Sequence, residues 1–175
     1  MPGAWPVLAQ SSLSASWLGM AAAAEQSGLA VWLRGSTWGY PAVETLHIFG
    51  LAVLVGTAVA FDLRLLGVAS RLPVDALARF LLPCARAGFA LAVLSGATLF
   101  AMQATTFATQ PLFYVKMGTI AIAVLNTTIF HRGVFRSVAI WNYNPYTPGA
   151  AKAAAVVSLV CWTFVLICGR WLAYV

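Results

Sequence analysis

The chain has 175 residues, 62% of them hydrophobic and only 8% charged. A soluble domain carries about 25% charged residues, so this composition excludes a solvated globule and points to a chain whose outer surface faces lipid. The formal net charge of +6 does not indicate nucleic acid, because the basic residues are scattered among apolar runs and form no cluster.

Residues 1–40 are mildly apolar and broken by Ser and Gly. Ser12–Ala24 and Ser27–Arg34 each read as a short helix, and Trp5, Trp17, Trp32 and Trp38 lie in the same region. Tryptophan favours the membrane–water interface, so this part is expected to be an interfacial helical arm on the membrane surface. No Lys or Arg precedes Arg34, so the positive start of an ordinary signal peptide is missing.

Four apolar runs follow over residues 41–175, each near the ~20 residues that span a bilayer: Pro41–Leu66, Pro83–Met102, Leu112 to about Phe135, and Ala151–Tyr174. The expected fold is all-α, a four-transmembrane-helix bundle with an N-terminal interfacial helical arm. Pro41, Pro83 and Pro111 stand at the starts of runs, where proline is tolerated in a helix. Between the first two runs, Ser70–Phe80 reads as a short amphipathic surface helix. Asn142–Gly149, with two prolines, reads as a loop. There is no repeat and no sign of a second domain.

Lys and Arg near the ends of the runs set the expected orientation. The first connection carries Arg64, Arg71 and Arg79, and the third carries Arg132, Arg136 and Lys152, whereas Gln103–Gln110 is uncharged. The first and third connections are therefore expected in the cytoplasm and both termini outside. Cys84, Cys161 and Cys168 form no CxxC pair, so neither zinc nor thioredoxin chemistry is indicated. They read as small packing residues.

Ionisable side chains inside a span are costly and are functional candidates by default. They sort into two depths. The outer layer holds Glu44 and His47 on the first helix and Lys116 on the third, with Arg170 near the end of the fourth and Met102 and Met117 at similar height. Glu44 and His47, three apart, share a face. Gly50, one turn further on, clears room for a neighbouring backbone or a flat ligand. The inner layer holds Asp62, Arg64, Arg86, Asn126 and His131, with Arg132 at the interface. Here the sequence leaves alternatives open. Arg64 and Arg132 are expected to snorkel to headgroups, Asp62 and Arg86 to pair between adjacent helices, and Glu44 could bridge to Lys116. By helical rise, His47 and His131 differ in depth by roughly 19 Å, so one haem iron cannot take both within a monomer.

The stretch Trp38-Gly39-Tyr40-Pro41-Ala42-Val43-Glu44-Thr45-Leu46-His47-Ile48-Phe49-Gly50, then Asp62-Leu63-Arg64-Leu65-Leu66-Gly67, resembles an uncharacterised family of small bacterial four-helix membrane proteins. Phe113-Tyr114-Val115-Lys116-Met117, Leu125-Asn126, Phe130-His131 and Gly169-Arg170-Trp171-Leu172-Ala173-Tyr174 fit it too. The resemblance covers most of the chain from residue 36 and implies a bacterial inner-membrane protein. A more distant likeness to copper-resistance D-type proteins and membrane b-type cytochromes implies haem or metal handling.

The leading expectation is accordingly a haem b protein or electron-transfer subunit with its site near the outer face. His47 would be the axial ligand, with Glu44, Gly50, Lys116, Met117 and Arg170 around the cofactor and the two cations meeting propionates. Copper on His47, Met102 and Met117 is the alternative metal, since thioether and imidazole suit Cu(I), and His131 is a second metal candidate. An accessory subunit of a larger membrane complex, without chemistry of its own, is the third reading. A redox partner, other membrane subunits and a homo-oligomer are the partners these readings admit. No nucleophile with a positioned base is visible, which argues against an enzyme.

Overall fold

The computed structural model describes residues 16–142 and 147–174. Among these, the regular elements are helical. In chain order they are α1 (residues 16–25), α2 (Gly28–Gly35), α3 (Gly39–Leu66), α4 (Val74–Met102), α5 (Ala104–Thr109), α6 (Pro111–Arg132), a 3-10 turn (Val134–Ser137), α7 (Val138–Trp141) and α8 (Gly149–Trp171). Four segments are long and apolar enough to cross a membrane: α3, α4, α8 and the stretch Pro111–Trp141 that α6 opens. This is the expected all-α architecture with four spans. Trp5, the first residues of Ser12–Ala24 and residues 143–146 of the expected loop lie outside the described residues.

The second span differs from expectation. Ser70–Phe80 is not a separate surface helix; from Val74 it is the first part of α4, and Pro83 sits inside that helix. Side chains make the early start possible by supplying partners to first-turn amides that no helix satisfies internally. The Asp75 amide donates to Asn142 Oδ1 at 3.0 Å, and the Ala76 amide donates to Asp75 Oδ1 at 2.7 Å. Asn142 Nδ2 returns a bond to Asp75 Oδ1 at 2.6 Å. Pro83 removes one helical donor, a loss that spanning helices tolerate when their neighbours compensate. The uncharged second connection contains α5.

The chain divides into two compact units, residues 1–47 with 93–110, and residues 48–92 with 111–175. In the first, the described residues of the arm pack on the end of α4 and on α5. Ala21 meets Ala104 and Ala108, while Met102 is buried with Ala30 and Leu33. Polar ties cover the seam. Glu25 Oε2 accepts from the Thr105 hydroxyl at 2.6 Å and the Thr105 amide at 3.0 Å. Arg34 donates to the Met102 carbonyl at 2.7 Å and to the Glu25 carbonyl at 2.6 Å.

Acid should loosen this corner. The Thr105 hydroxyl, then the Thr105 amide and the Arg34 charge, hold the Glu25 carboxyl below its ordinary value of 4.5. A carboxyl depressed on folding contributes stability that is complete above the ordinary value and disappears as pH falls through the folded-state value. Amide exchange in α5 should therefore accelerate on acidification below about pH 4.5, and Glu25→Gln should abolish that acid step. An unchanged acid step in Glu25→Gln would assign the effect to another group.

The second unit is built from the end of α3, the start of α4, α6 and α8. One buried cluster joins Leu65, Val74, Phe130, Trp141, Ala151 and Ala155; the other joins Leu54, Ala123, Cys161, Trp162 and Val165. Here α3 and α4 touch backbone to backbone. A Cβ added at Gly50 would lie 2.7 Å from the Ala92 nitrogen, and one at Gly88 would lie 2.7 Å from the Leu54 nitrogen. Small residues at such crossings let membrane helices approach closely. Gly67, at φ +110°, ends α3. The Gly67 amide bonds the Arg64 carbonyl and the Val68 amide bonds the Leu63 carbonyl, the pair of reversed bonds that a left-handed glycine makes possible.

Arg64 does not snorkel. It is 2% exposed, and its guanidinium donates to the carbonyls of Leu72 (2.6 Å), Ser70 (3.0 Å) and Asn142 (3.4 Å). These oxygens belong to the α3–α4 turn and the end of α7, where regular hydrogen bonding stops. The charge is held by the chain that it fastens.

Candidate functional site

The residues expected around an outer-face cofactor fall in both units. In the first, the His47 ring lies against the bare backbone of α4: a Cβ at Gly96 would be 2.9 Å from His47 Cε1, and His47 Nδ1 is 3.2 Å from the Ser95 hydroxyl. Glu44 is exposed. Met102 is buried among α2 residues. In the second unit, Gly50 faces the α4 backbone, so of the two uses its sequence position left open, close helix contact is the one it makes. The Lys116 ammonium lies beside Gly169 of α8, Met117 is exposed, and the Arg170 guanidinium stacks over the Tyr174 ring at 4.9 Å. Glu44 and Lys116 belong to different units.

The expected inner layer is drawn together more fully. Asp62, Arg86, Asn126, His131 and Arg132 line one cleft of about 480 Å³ within the second unit. Its buried lining comes mainly from α3 and α8, including Asp62, Leu65, Ala155, Ser158 and Trp162. Its exposed lining residues, Arg86, Val124, Thr127 and Arg132, belong to α4 and α6. The floor is thus α3 and α8, and the mouth lies between α4 and α6.

At the floor, Asp62 is 6% exposed. The Ser158 hydroxyl of α8 hydrogen-bonds its carboxylate, but Oδ2 is buried with no partner. Asn126 donates from Nδ2 to the Ala154 carbonyl at 2.9 Å, tying α6 to α8. His131 Nδ1 is 2.9 Å from the Thr127 carbonyl one turn back. A carbonyl can only accept, so the proton sits on Nδ1 and Nε2 is the nitrogen left to accept or ligate.

The expected Asp62–Arg86 ion pair is not formed. Among the described residues, ion pairs join Arg34 to Glu25 and Arg79 to Asp75. Register explains the difference. Gly50 faces Ala92 and Leu54 faces Gly88, which places Arg86 level with about residue 56 of α3. It is then offset from Asp62 by about six residues of rise, roughly 9 Å along the axis. A second span that began at Pro83 would place Arg86 near a helix end. With the start at Val74, Arg86 lies close to the middle of a 29-residue helix.

Sequence reasoning missed the contribution of α8. Ser158 and Trp162 belong to its buried face, together with Ala151, Ala155, Val165 and Cys168. That spacing of three and four is visible in the sequence, but in a run apolar all round it does not mark the inner face.

Four helices long and apolar enough to span a bilayer and a cleft with a buried carboxylate at its floor are the marks of a helical membrane protein. The chain belongs to a family of unknown function, DUF6644, whose pattern it matches over residues 20–175. No curated protein and no solved structure matches it, and the family match carries no likeness to copper-resistance D-type proteins or b-type cytochromes.

Proposed function

We propose that this protein binds a small, mostly apolar molecule inside the membrane, in the cleft of the second unit, with Asp62 as its polar anchor. The observation that carries the reading is Asp62 Oδ2, buried and unpartnered in a cleft large enough for a ligand. A buried polar atom left without a hydrogen bond costs about 1–3 kcal/mol. Pockets with predominantly apolar walls and a few converging polar groups are the usual form of a small-molecule site. The clustering of Arg64, Arg71, Arg79, Arg132, Arg136 and Lys152 at the Asp62 end favours a cytoplasmic position for that end.

The test is chemical extraction of protein purified from its own membranes. A small molecule should accompany the wild type in near-stoichiometric amount and be lost from Asp62→Leu. The same substitution should stabilise the emptied protein by on the order of 1 kcal/mol, because it removes an orphaned polar atom. A wild type carrying nothing, together with a destabilised Asp62→Leu, would make Asp62 a structural residue and sink the proposal.

A second reading, haem b bound in the same cleft, is favoured by the His131 geometry. The Thr127 carbonyl fixes the ring so that Nε2 is the free nitrogen, and Arg86 and Arg132 line the same cleft, where they suit propionates. This favours His131 over His47, whose ring is packed on Gly96. A Soret band in the wild type that disappears in His131→Ala would establish it; a colourless protein expressed with ample iron and haem precursor would exclude it.

A further inference from the structure

Arg86 is a further charge in the cleft without a partner among the described residues, and, unlike Arg132 at the end of α6, it stands far from any helix end, so its position narrows what the cleft can hold. It stands near the midpoint of α4, level with the stretch of α3 around Leu54, which packs on Ala123 and Trp162 in the middles of α6 and α8. That is the middle level of the four apolar helices, which for a 30 Å hydrocarbon core corresponds to about 15 Å from either edge. Snorkelling cannot carry a guanidinium the whole way from there. An arginine at such depth is costly, by about 2.5–3.5 kcal/mol on insertion scales, and marks a functional position. Among the described residues, no hydrogen bond or ion pair engages it.

The cleft therefore presents an acceptor without a donor at Asp62 and a donor without an acceptor at Arg86, offset by roughly 9 Å along the helix axis. Between and beyond them the walls are apolar and aromatic, with Phe61, Phe89, Phe130 and Trp162. Its mouth lies between α4 and α6, both within candidate spans, a position that favours approach from lipid.

We infer that the occupant is a bilayer-dissolved amphiphile with two polar ends, entering sideways between α4 and α6, its acceptor held by Arg86 and its donor given to Asp62. This deepens the binding proposal and rests on it. A molecule with one polar end leaves one of the two charges bare. An anion alone would meet Arg86 but face the Asp62 carboxylate, and a cation alone would do the reverse. Two sources share the required chemistry: a quinol, with oxygens on opposite sides of a flat ring, and a zwitterionic lipid head, with phosphate and ammonium.

The experiment measures binding of four probes to the full-length protein in detergent by tryptophan fluorescence, with Trp162→Phe showing that the signal arises in the cleft. The two-ended probes are a decyl-chain quinol and dihexanoyl phosphatidylethanolamine; the one-ended probes are decanol and decanoate. At least one two-ended probe should bind tenfold or more tightly than either one-ended probe, and which one does so names the source. Arg86→Leu and Asp62→Leu should each erase that advantage, with Arg86→Gln and Asp62→Asn as milder variants that keep a polar group. If decanol binds in an Asp62-dependent way and neither two-ended probe exceeds it, the two-ended occupant is wrong while the cleft remains a binding site. If Asp62→Leu changes the binding of no probe, the binding reading itself falls.

Discussion

Gly88→Leu should break the second unit, with a loss of about 3 kcal/mol or more. The reason is what stands opposite. A Cβ at Gly88 would meet the Leu54 nitrogen at 2.7 Å and the Gly50 carbonyl at 2.9 Å, and backbone cannot swing aside as a side chain can. Overpacking a well-filled interior costs about 1–3 kcal/mol even where side chains share the adjustment. A graded series separates this clash from helix propensity. Alanine is the better helix former by about 0.8–1.0 kcal/mol, so Gly56→Ala and Gly118→Ala, which meet nothing within 4 Å, should be neutral or stabilising. Gly88→Ala should nevertheless destabilise. Unfolding titrations in mixed micelles would rank the four variants. A Gly88→Ala protein as stable as Gly118→Ala would mean that α3 and α4 do not meet at these glycines.

Arg64→Ala should cost on the order of 3 kcal/mol, since hydrogen bonds to a charged group contribute about 1.5–3 kcal/mol each and their effects overlap. Three carbonyls in two separate turns lose their donor at once. Arg64→Lys keeps the charge but not the planar fork that reaches several acceptors, so it should recover only part of the loss. Hydrogen exchange over residues 67–73 should quicken in both variants. A surface arginine reaching for headgroups would behave differently, with Arg64→Ala within about 0.5 kcal/mol of the wild type.

The four spans were legible because runs of that length and apolarity suit a bilayer, and α3 and α8 match their expected runs to within a few residues. Height along a helix is legible wherever the helix start is right, since rise per residue converts position into height. Asp62, Asn126, His131 and Arg132, which that arithmetic groups, line one cleft. Azimuth is not legible. In a helix apolar all round, the sequence does not say which side faces the protein, so neither the Gly50–Gly88 crossing nor the part played by Ser158 could be read. The start of α4 was lost for a local reason. Pro83 resembles a first-turn proline, and the groups that begin the helix nine residues earlier lie partly on Asn142, 67 residues away in sequence. That error moved Arg86 to a helix end and produced the Asp62–Arg86 pairing that the structure does not contain.

The position of Arg86 also bears on how the chain enters the membrane during synthesis. Alone in the translocon, α4 carries a charge at its least tolerant point, a penalty of about 2.5–3.5 kcal/mol against partitioning sideways into lipid. Its predecessor α3 has no charge between Glu44 and Asp62 and leaves the ribosome first. The two are joined by a seven-residue turn that Gly67 reverses and Arg64 fastens, and they meet at glycines that allow backbone contact. A hairpin closed in this way lets α3 and α4 enter together, so α4 need not partition as a solitary helix, while Arg86 stays exposed on the side away from α3.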